Sequence, residues 1–146
     1  MNNLKILLVD DDQDDRQLFA KALQELDMNV ELHLATNGKS CLQFLESNKD
    51  DQVHLVFLDL NMPVMNGFEC LEKIKGNKAF DDIVIAIYST SAATSDIEQT
   101  FEKGANIYIH KPAKFSDLKT SLKQVIKTNW AYKENNLDRE HFLLKI

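Results

Sequence analysis

Four glycines and two prolines in 146 residues exclude a collagen-like or low-complexity chain, and no internal repeat or Ser/Gly-rich linker divides it. The two cysteines, Cys41 and Cys70, are too few for a disulfide scaffold. Each sits in an apolar-periodic stretch, where a reduced, buried thiol is expected. No apolar run approaches the roughly 18 residues of a membrane span. The start, Met1-Asn2-Asn3-Leu4-Lys5, leads directly into a strand-like run rather than a signal-peptide core. A soluble, cytoplasmic protein without membrane association is therefore expected. Positive charge is also scarce: 17 Lys plus Arg stand against 23 Asp plus Glu, for a net charge of −6. That balance lacks the broad basic surface of a nucleic-acid binder, so no direct nucleic-acid contact is expected.

The residues present describe an ordinary folded domain. Hydrophobic residues make up 44% and charged residues 27% of the chain, at a length suited to one core. The acidic surplus is concentrated: Asp10-Asp11-Asp12-Gln13-Asp14-Asp15 places five carboxylates in six residues.

Apolar periodicity alternates between two kinds along the chain. Leu4 to Val9 is a nearly continuous apolar run with Ile and Val, the pattern of a strand buried on both faces. Leu18, Phe19, Ala22, Leu23 and Leu26 follow at helical spacing. Val30 to Ala35 alternates like an edge strand, and Cys41, Leu42 and Leu45 mark the next helix. Val53 to Leu58 and Ile83 to Tyr88 read as the third and fourth strands, with Phe68, Leu71 and Ile74 striping a helix between them. A short helix around Ile97 and Phe101 leads to a fifth strand, Ala105 to Ile109, and a fifth helix carries Phe115, Leu118, Leu122, Val125 and Ile126. Five strand–helix units with short connections require parallel strands, right-handed crossovers and helices on both faces, which is a doubly wound α/β fold with a five-stranded parallel sheet and five helices.

In such sheets ligands collect beyond the carboxyl ends of the strands. The residues there are Asp10-Asp11-Asp12, Asp59-Leu60-Asn61, Ser89-Thr90-Ser91 and His110-Lys111-Pro112. Carboxylates from two neighbouring strand ends repel unless a cation lies between them, and oxygen donors without a Cys or His cluster favour a hard ion such as Mg²⁺. Mg²⁺ bound by few carboxylates keeps positions open for phosphate oxygens. A hydroxyl at Ser89 and an ammonium at Lys111 would supply donors to a phosphoryl group, leaving Asp59 as the nucleophile. The chemistry this points to is phosphoryl transfer to a protein aspartate. His33, His54, His110 and His141 share no metal-like spacing and are assigned no chemistry.

The segments Leu8-Val9-Asp10-Asp11, Leu58-Asp59-Leu60-Asn61-Met62-Pro63-Val64-Met65-Asn66-Gly67, Tyr88-Ser89 and Ile109-His110-Lys111-Pro112 together resemble a stand-alone response-regulator receiver domain of two-component signalling. The resemblance covers roughly residues 4 to 128. It implies a flavodoxin-like receiver fold with strand order 2-1-3-4-5 in a domain of residues 1–128. It also implies Asp59 as phosphoacceptor, and Mg²⁺ held by Asp10, Asp11, Asp59 and the main-chain carbonyl of Asn61. Ser89 is similar to the family's hydroxyl switch, Tyr108 to its aromatic switch and Lys111 to its partner lysine, which a cis bond to Pro112 aims inward. On phosphorylation Ser89 and Lys111 would be drawn to Asp59, and Tyr108 would turn into the space vacated.

The partners implied are a sensor histidine kinase or histidine phosphotransfer protein upstream and a target protein downstream, with no enzymatic turnover beyond the domain's own phosphorylation and dephosphorylation. Asp12, Asp14 and Asp15 are expected only to cap the first helix and favour its dipole. Asn61 and Ser91, two residues beyond Asp59 and Ser89, flank the path of an attacking water in this family. The extension at 129–146 carries Trp130, Tyr132, Leu137 and Phe142, too apolar for a disordered end and too short for an effector domain. It is expected to pack on its own domain or at a homodimer interface. Two readings from other classes compete. An Asp-nucleophile phosphohydrolase would need a second acid/base Asp where Asn61 stands. A flavodoxin-like cofactor carrier would need a phosphate nest where the Asp cluster lies.

Overall fold

The computed structural model describes residues 3–127 and 142–144. In chain order the elements are β1 (Leu4–Val9), α1 (Gln13–Leu26), β2 (Val30–Ala35), α2 (Gly38–Ser47), β3 (Leu55–Leu58), α3 (Gly67–Lys75), β4 (Val84–Ser89), α4 (Thr94–Glu102), β5 (Ile107–His110), α5 (Phe115–Lys127) and β6 (Leu143–Leu144). All strand pairs are parallel, in the order β2-β1-β3-β4-β5-β6. The expected order 2-1-3-4-5 is therefore present, and a sixth strand is added beside β5.

The two faces of the sheet explain why β1 and β3 read as almost wholly apolar runs. Leu7, Val9, Val56, Leu58, Ile85 and Ile87 point to one side, where Cys41, Leu45, Cys70, Leu71 and Ile74 of α2 and α3 cover them. Ile6, Leu8, Leu55, Phe57, Ala86 and Tyr88 point to the other, under Phe19, Ala22 and Leu23 of α1 and Leu118, Leu122 and Val125 of α5. Cys41 and Cys70 are both free and buried. Burial and a hydrogen bond between the two thiols raise the Cys41 pKa well above its ordinary value, the hydrogen bond being the larger cause. A thiol held protonated is a poor nucleophile.

Helix starts are set by side-chain caps. Asp12 Oδ1 accepts from the Asp15 amide at 3.0 Å, Asn37 from Ser40 at 2.9 Å, and Asn66 from Glu69 at 3.0 Å. Boundaries of β3, β4 and β5 shift by one or two residues from the sequence expectation. β3 begins at Leu55 because His54 is tied to β1 by its own amide and ring, the ring accepting from the Lys5 amide at 2.9 Å. β4 extends to Ser89 because Ser89 remains in register with His110. β5 begins at Ile107, after a turn in which Gly104 adopts φ 97°.

Most of the expected extension, including Trp130, Tyr132 and Leu137, lies outside the described residues. Its described part closes the β5 edge: Leu143 pairs with Tyr108 and Leu144 with Ile109. Phe142 is buried, with its ring edge-on to Phe101 of α4 at 5.2 Å and 6.2 Å from Tyr108. Unpaired strand edges are open to intermolecular pairing, and β6 covers this one in the same chain.

Candidate functional site

Asp10, Asp59 and Ser89 are the buried polar residues at the carboxyl edge of the sheet. Asp10 follows β1, Asp59 follows β3 and Ser89 ends β4. The Asp59 amide donates to the Val9 carbonyl at 3.0 Å, which brings the two acidic strand ends side by side. Asp11 is exposed above them, and ligand atoms of Asp10, Asp11 and Asp59 all lie within 4.8 Å of one another. Gly67 permits the loop after β3 to close over the site. A Cβ at that position would come within 2.1 Å of the Asp59 carbonyl oxygen, so no side chain fits. Asn61 is exposed in this loop.

Lys111 joins the cluster from the end of β5. Its Nζ donates to Asp15 Oδ2 at 2.8 Å, Asp10 Oδ2 at 2.9 Å and Asp59 Oδ2 at 3.3 Å. The ammonium also sits 5.2 Å from the centre of the Tyr88 ring, so the bulky residue before Ser89 forms the floor under the lysine. The remaining carboxylate oxygens are held by main-chain amides, Asp10 Oδ1 by Asp12 at 2.9 Å and Asp59 Oδ1 by Leu60 at 2.8 Å.

Burial raises the pKa of both Asp10 and Asp59, against the opposing pull of Lys111. Burial alone would lower the pKa of Lys111, yet its hydrogen bonds to Asp10 and Asp15 and the charge of Asp59 outweigh it and raise the value. Both shifts follow from one imbalance: a single ammonium serves several closely spaced carboxylates in a partly desolvated place. The cluster retains net negative charge, and its all-oxygen donors suit a hard divalent cation.

One expectation is corrected. The Lys111–Pro112 peptide bond is not cis, and no described residue has a cis bond. The trans amide is the intrinsically favoured isomer even before proline, by about 0.5–1 kcal/mol. Lys111 reaches the acids from that trans backbone, with its amide bonded to the Ser89 carbonyl at 2.8 Å and its ammonium over the Tyr88 ring.

The switch candidates adjoin the cluster. Ser89 Oγ accepts from the Ser91 amide at 3.1 Å. Tyr108 is fully buried, its hydroxyl donating to the Ser91 carbonyl at 2.8 Å and lying within hydrogen-bonding reach of Ser89. The ring thus already points inward, where the resemblance implied an inward turn only on phosphorylation. Phe142 packs beside it, with Phe101 against the Phe142 ring. The Ser91 hydroxyl donates to Asp96 Oδ2 of α4 at 2.6 Å, tying the loop after β4 to the next helix. His110 contacts the Thr90 carbonyl through Nε2 at 3.0 Å, a bridge within the loops.

Three participants were not singled out in the sequence as part of the site. Asp15 was assigned only to the helix terminus, yet its carboxylate makes the shortest Lys111 contact. Arg16 Nη1 donates to the Asp10 carbonyl oxygen at 2.8 Å. Asp96 anchors Ser91. Asp15 and Arg16 follow Asp12 by three and four residues, so a helix starting at that cap projects their side chains back over the strand ends; that spacing was the available signal.

Comparison with known proteins agrees with this architecture. The profile of the response regulator receiver domain matches residues 6–123. The chemotaxis protein CheY homologue of Campylobacter jejuni subsp. jejuni is 31% identical over 125 residues, covering 86% of this chain and 94% of the relative. Among solved structures, the phosphorylated cyanobacterial phytochrome response regulator RcpA superposes with a TM-score of 0.79 at 27% identity, over 94% of this chain and 98% of that one. The Mn²⁺-bound form of response regulator Rcp1 superposes with a TM-score of 0.74 at 28% identity, over 83% and 90%. A profile that runs from within β1 into α5, with relatives at this identity, places the chain in the response regulator receiver domain family of two-component signalling.

Proposed function

We propose that this receiver domain takes a phosphoryl group from a histidine kinase or histidine phosphotransfer protein onto Asp59, with Mg²⁺ bound, and thereby switches a protein-interaction surface. The observation that carries this reading is the convergence of Lys111 Nζ on Asp10 and Asp59 beside a third carboxylate, Asp11. Asp59 Oδ attacks phosphorus while the bond from phosphorus to the donor's imidazole nitrogen breaks, and the electron pair leaves with the imidazole. Lys111 then meets the new phosphoryl oxygens as a charge-assisted donor, and the Ser89 hydroxyl moves to donate to them.

Asp10, Asp11, Asp59 and the Asn61 carbonyl hold the cation. Bound Mg²⁺ supplies charge neutralisation and polarises the phosphoryl oxygens. The Mn²⁺ bound in Rcp1 supports a divalent ion in this fold. Drawing Ser89 towards Asp59 takes it from Tyr108, and that change is passed to the surface formed by α4, β5 and α5. The signal is read there by a downstream target protein. The role is signalling in the cytoplasm rather than turnover of a free substrate, with residues 1–128 as the receiver unit and 129–146 as an extension, of which the described Leu143 and Leu144 pair with β5.

Incubation with acetyl phosphate and Mg²⁺ followed by intact-mass measurement tests the assignment. One phosphoryl adduct is expected on the wild type and none on Asp59→Ala. No adduct on the wild type, or an equal one on the variant, overturns it. A homodimer through α4, β5, α5 or the extension predicts a heavier species in sedimentation for the full chain than for one ending at Lys127. Monomer mass for both removes the dimer.

A further inference from the structure

The Lys111 ammonium has three N–H donors, and three carboxylates accept them: Asp15 at 2.8 Å, Asp10 at 2.9 Å and Asp59 at 3.3 Å. Two of these acceptors, Asp10 and Asp59, belong to the cluster whose ligand atoms lie within 4.8 Å of one another, and Asp15 does not. A divalent cation in that cluster would draw on the same two carboxylates and repel the ammonium at short range. Asp15 is then the acceptor that Lys111 retains.

The placement of Asp15 suits that task. It lies in the first turn of α1, where its amide is fixed by the Asp12 cap at 3.0 Å, so the carboxylate is presented from a rigid element. The bland function of an acidic residue here is to favour the helix terminus, which needs no particular orientation. Its side chain instead spans to Lys111, with 34% of its surface exposed against 9% for the lysine.

We propose that Asp15 is a positioning residue. It anchors Lys111 from outside the cation cluster, so that the ammonium stays beside Asp59 when Mg²⁺ binds and does not compete for Asp10 and Asp59. The proposal rests on Asp59 being the phosphoacceptor only for its use in phosphoryl transfer. The anchoring itself is independent of that reading.

Mg²⁺ titration by calorimetry on four full-length proteins tests it: wild type, Asp15→Asn, Lys111→Met and the double variant, with Asp15→Glu as a rescue. With Lys111 present, Asp15→Asn should weaken Mg²⁺ binding about five-fold, a coupling within the usual range for residues in contact. In the Lys111→Met background the same change should alter binding less than about two-fold, and Asp15→Glu should recover most of the wild-type affinity. An equal effect of Asp15→Asn in both backgrounds would mean a general charge contribution and would overturn the anchor. If Asp15→Asn loses its far-UV circular dichroism, Asp15→Ser takes its place in the cycle. The acetyl phosphate adduct is followed on the same samples. Coupling without any wild-type adduct keeps the anchor and removes Asp59 as phosphoacceptor. An adduct without coupling does the reverse. No saturable Mg²⁺ binding by the wild type overturns both.

Discussion

The acidic pocket and the β5 edge are built from opposite materials within a few residues of each other. At the pocket, Asp10 and Asp59 are buried charges that one lysine keeps tolerable. At the edge, Phe142 is a buried ring held between Phe101 and Tyr108, with two strand residues behind it. The first region carries an electrostatic imbalance that a cation or a phosphoryl group can act on. The second is an apolar seam of packed rings. Tyr108 touches both: its hydroxyl reaches the loop after β4 and its ring faces Phe142. A change of charge at one region can therefore be felt as a change of packing at the other.

The sharpest separation comes from removing a central group on each side. Lys111→Met leaves Asp10 and Asp59 without their cation, and breaking a buried ion pair from one side costs about 3–5 kcal/mol. Chemical denaturation without divalent ions should show a loss of that order relative to the wild type, and the loss should shrink at a common saturating Mg²⁺ concentration, where the cation takes over neutralisation of Asp10 and Asp59. Phe142→Ala removes an aromatic ring from a packed site, at a cost of about 3 kcal/mol. That loss should be the same with and without Mg²⁺. A Lys111→Met loss as insensitive to Mg²⁺ as the Phe142→Ala loss would break the distinction between the regions.

A smaller effect carries a pH signature. Asp59 has a carboxyl pKa raised above its ordinary value of 3.8 by burial, so the folded state binds its proton more tightly than the unfolded one. Its contribution to stability is therefore most favourable below that window and declines as pH rises through it. In cation-free buffer at neutral pH, Asp59→Asn should melt at a higher temperature than the wild type. The difference should shrink on acidification towards the ordinary carboxylate range, and it should also shrink when Mg²⁺ is added to the wild type. A variant that melts lower at neutral pH would mean that the Lys111 pairing outweighs the burial cost.

Legibility in the sequence differed between the regions for physical reasons. The doubly wound sheet could be read because β1 and β3 are covered on both faces and so appear as almost wholly apolar runs. Asp10, Asp59, Ser89 and Lys111 could be read because each stands immediately after such a run, where chain direction alone sends it to one edge. Asp15 was misjudged because a helix-terminal acid has a sufficient local explanation, and its contact with Lys111 spans 96 residues of sequence. The sixth strand was missed because two residues, Leu143 and Leu144, are too short to carry a period. Only the apolar content of the tail hinted that it packs. The trans bond before Pro112 was missed because a resemblance between residue types does not determine an isomer whose two forms differ by about 1 kcal/mol.

The most direct test traps the phosphoryl group where it forms. Acyl phosphates are reduced by borohydride to the corresponding alcohol, so treating the full-length protein with acetyl phosphate, Mg²⁺ and then borohydride marks the acceptor permanently. Peptide mass mapping should find Asp59 converted to homoserine, in a reaction that requires Mg²⁺. Conversion at Asp10, Asp11 or any other carboxylate, or none at all, would contradict phosphoryl transfer to Asp59.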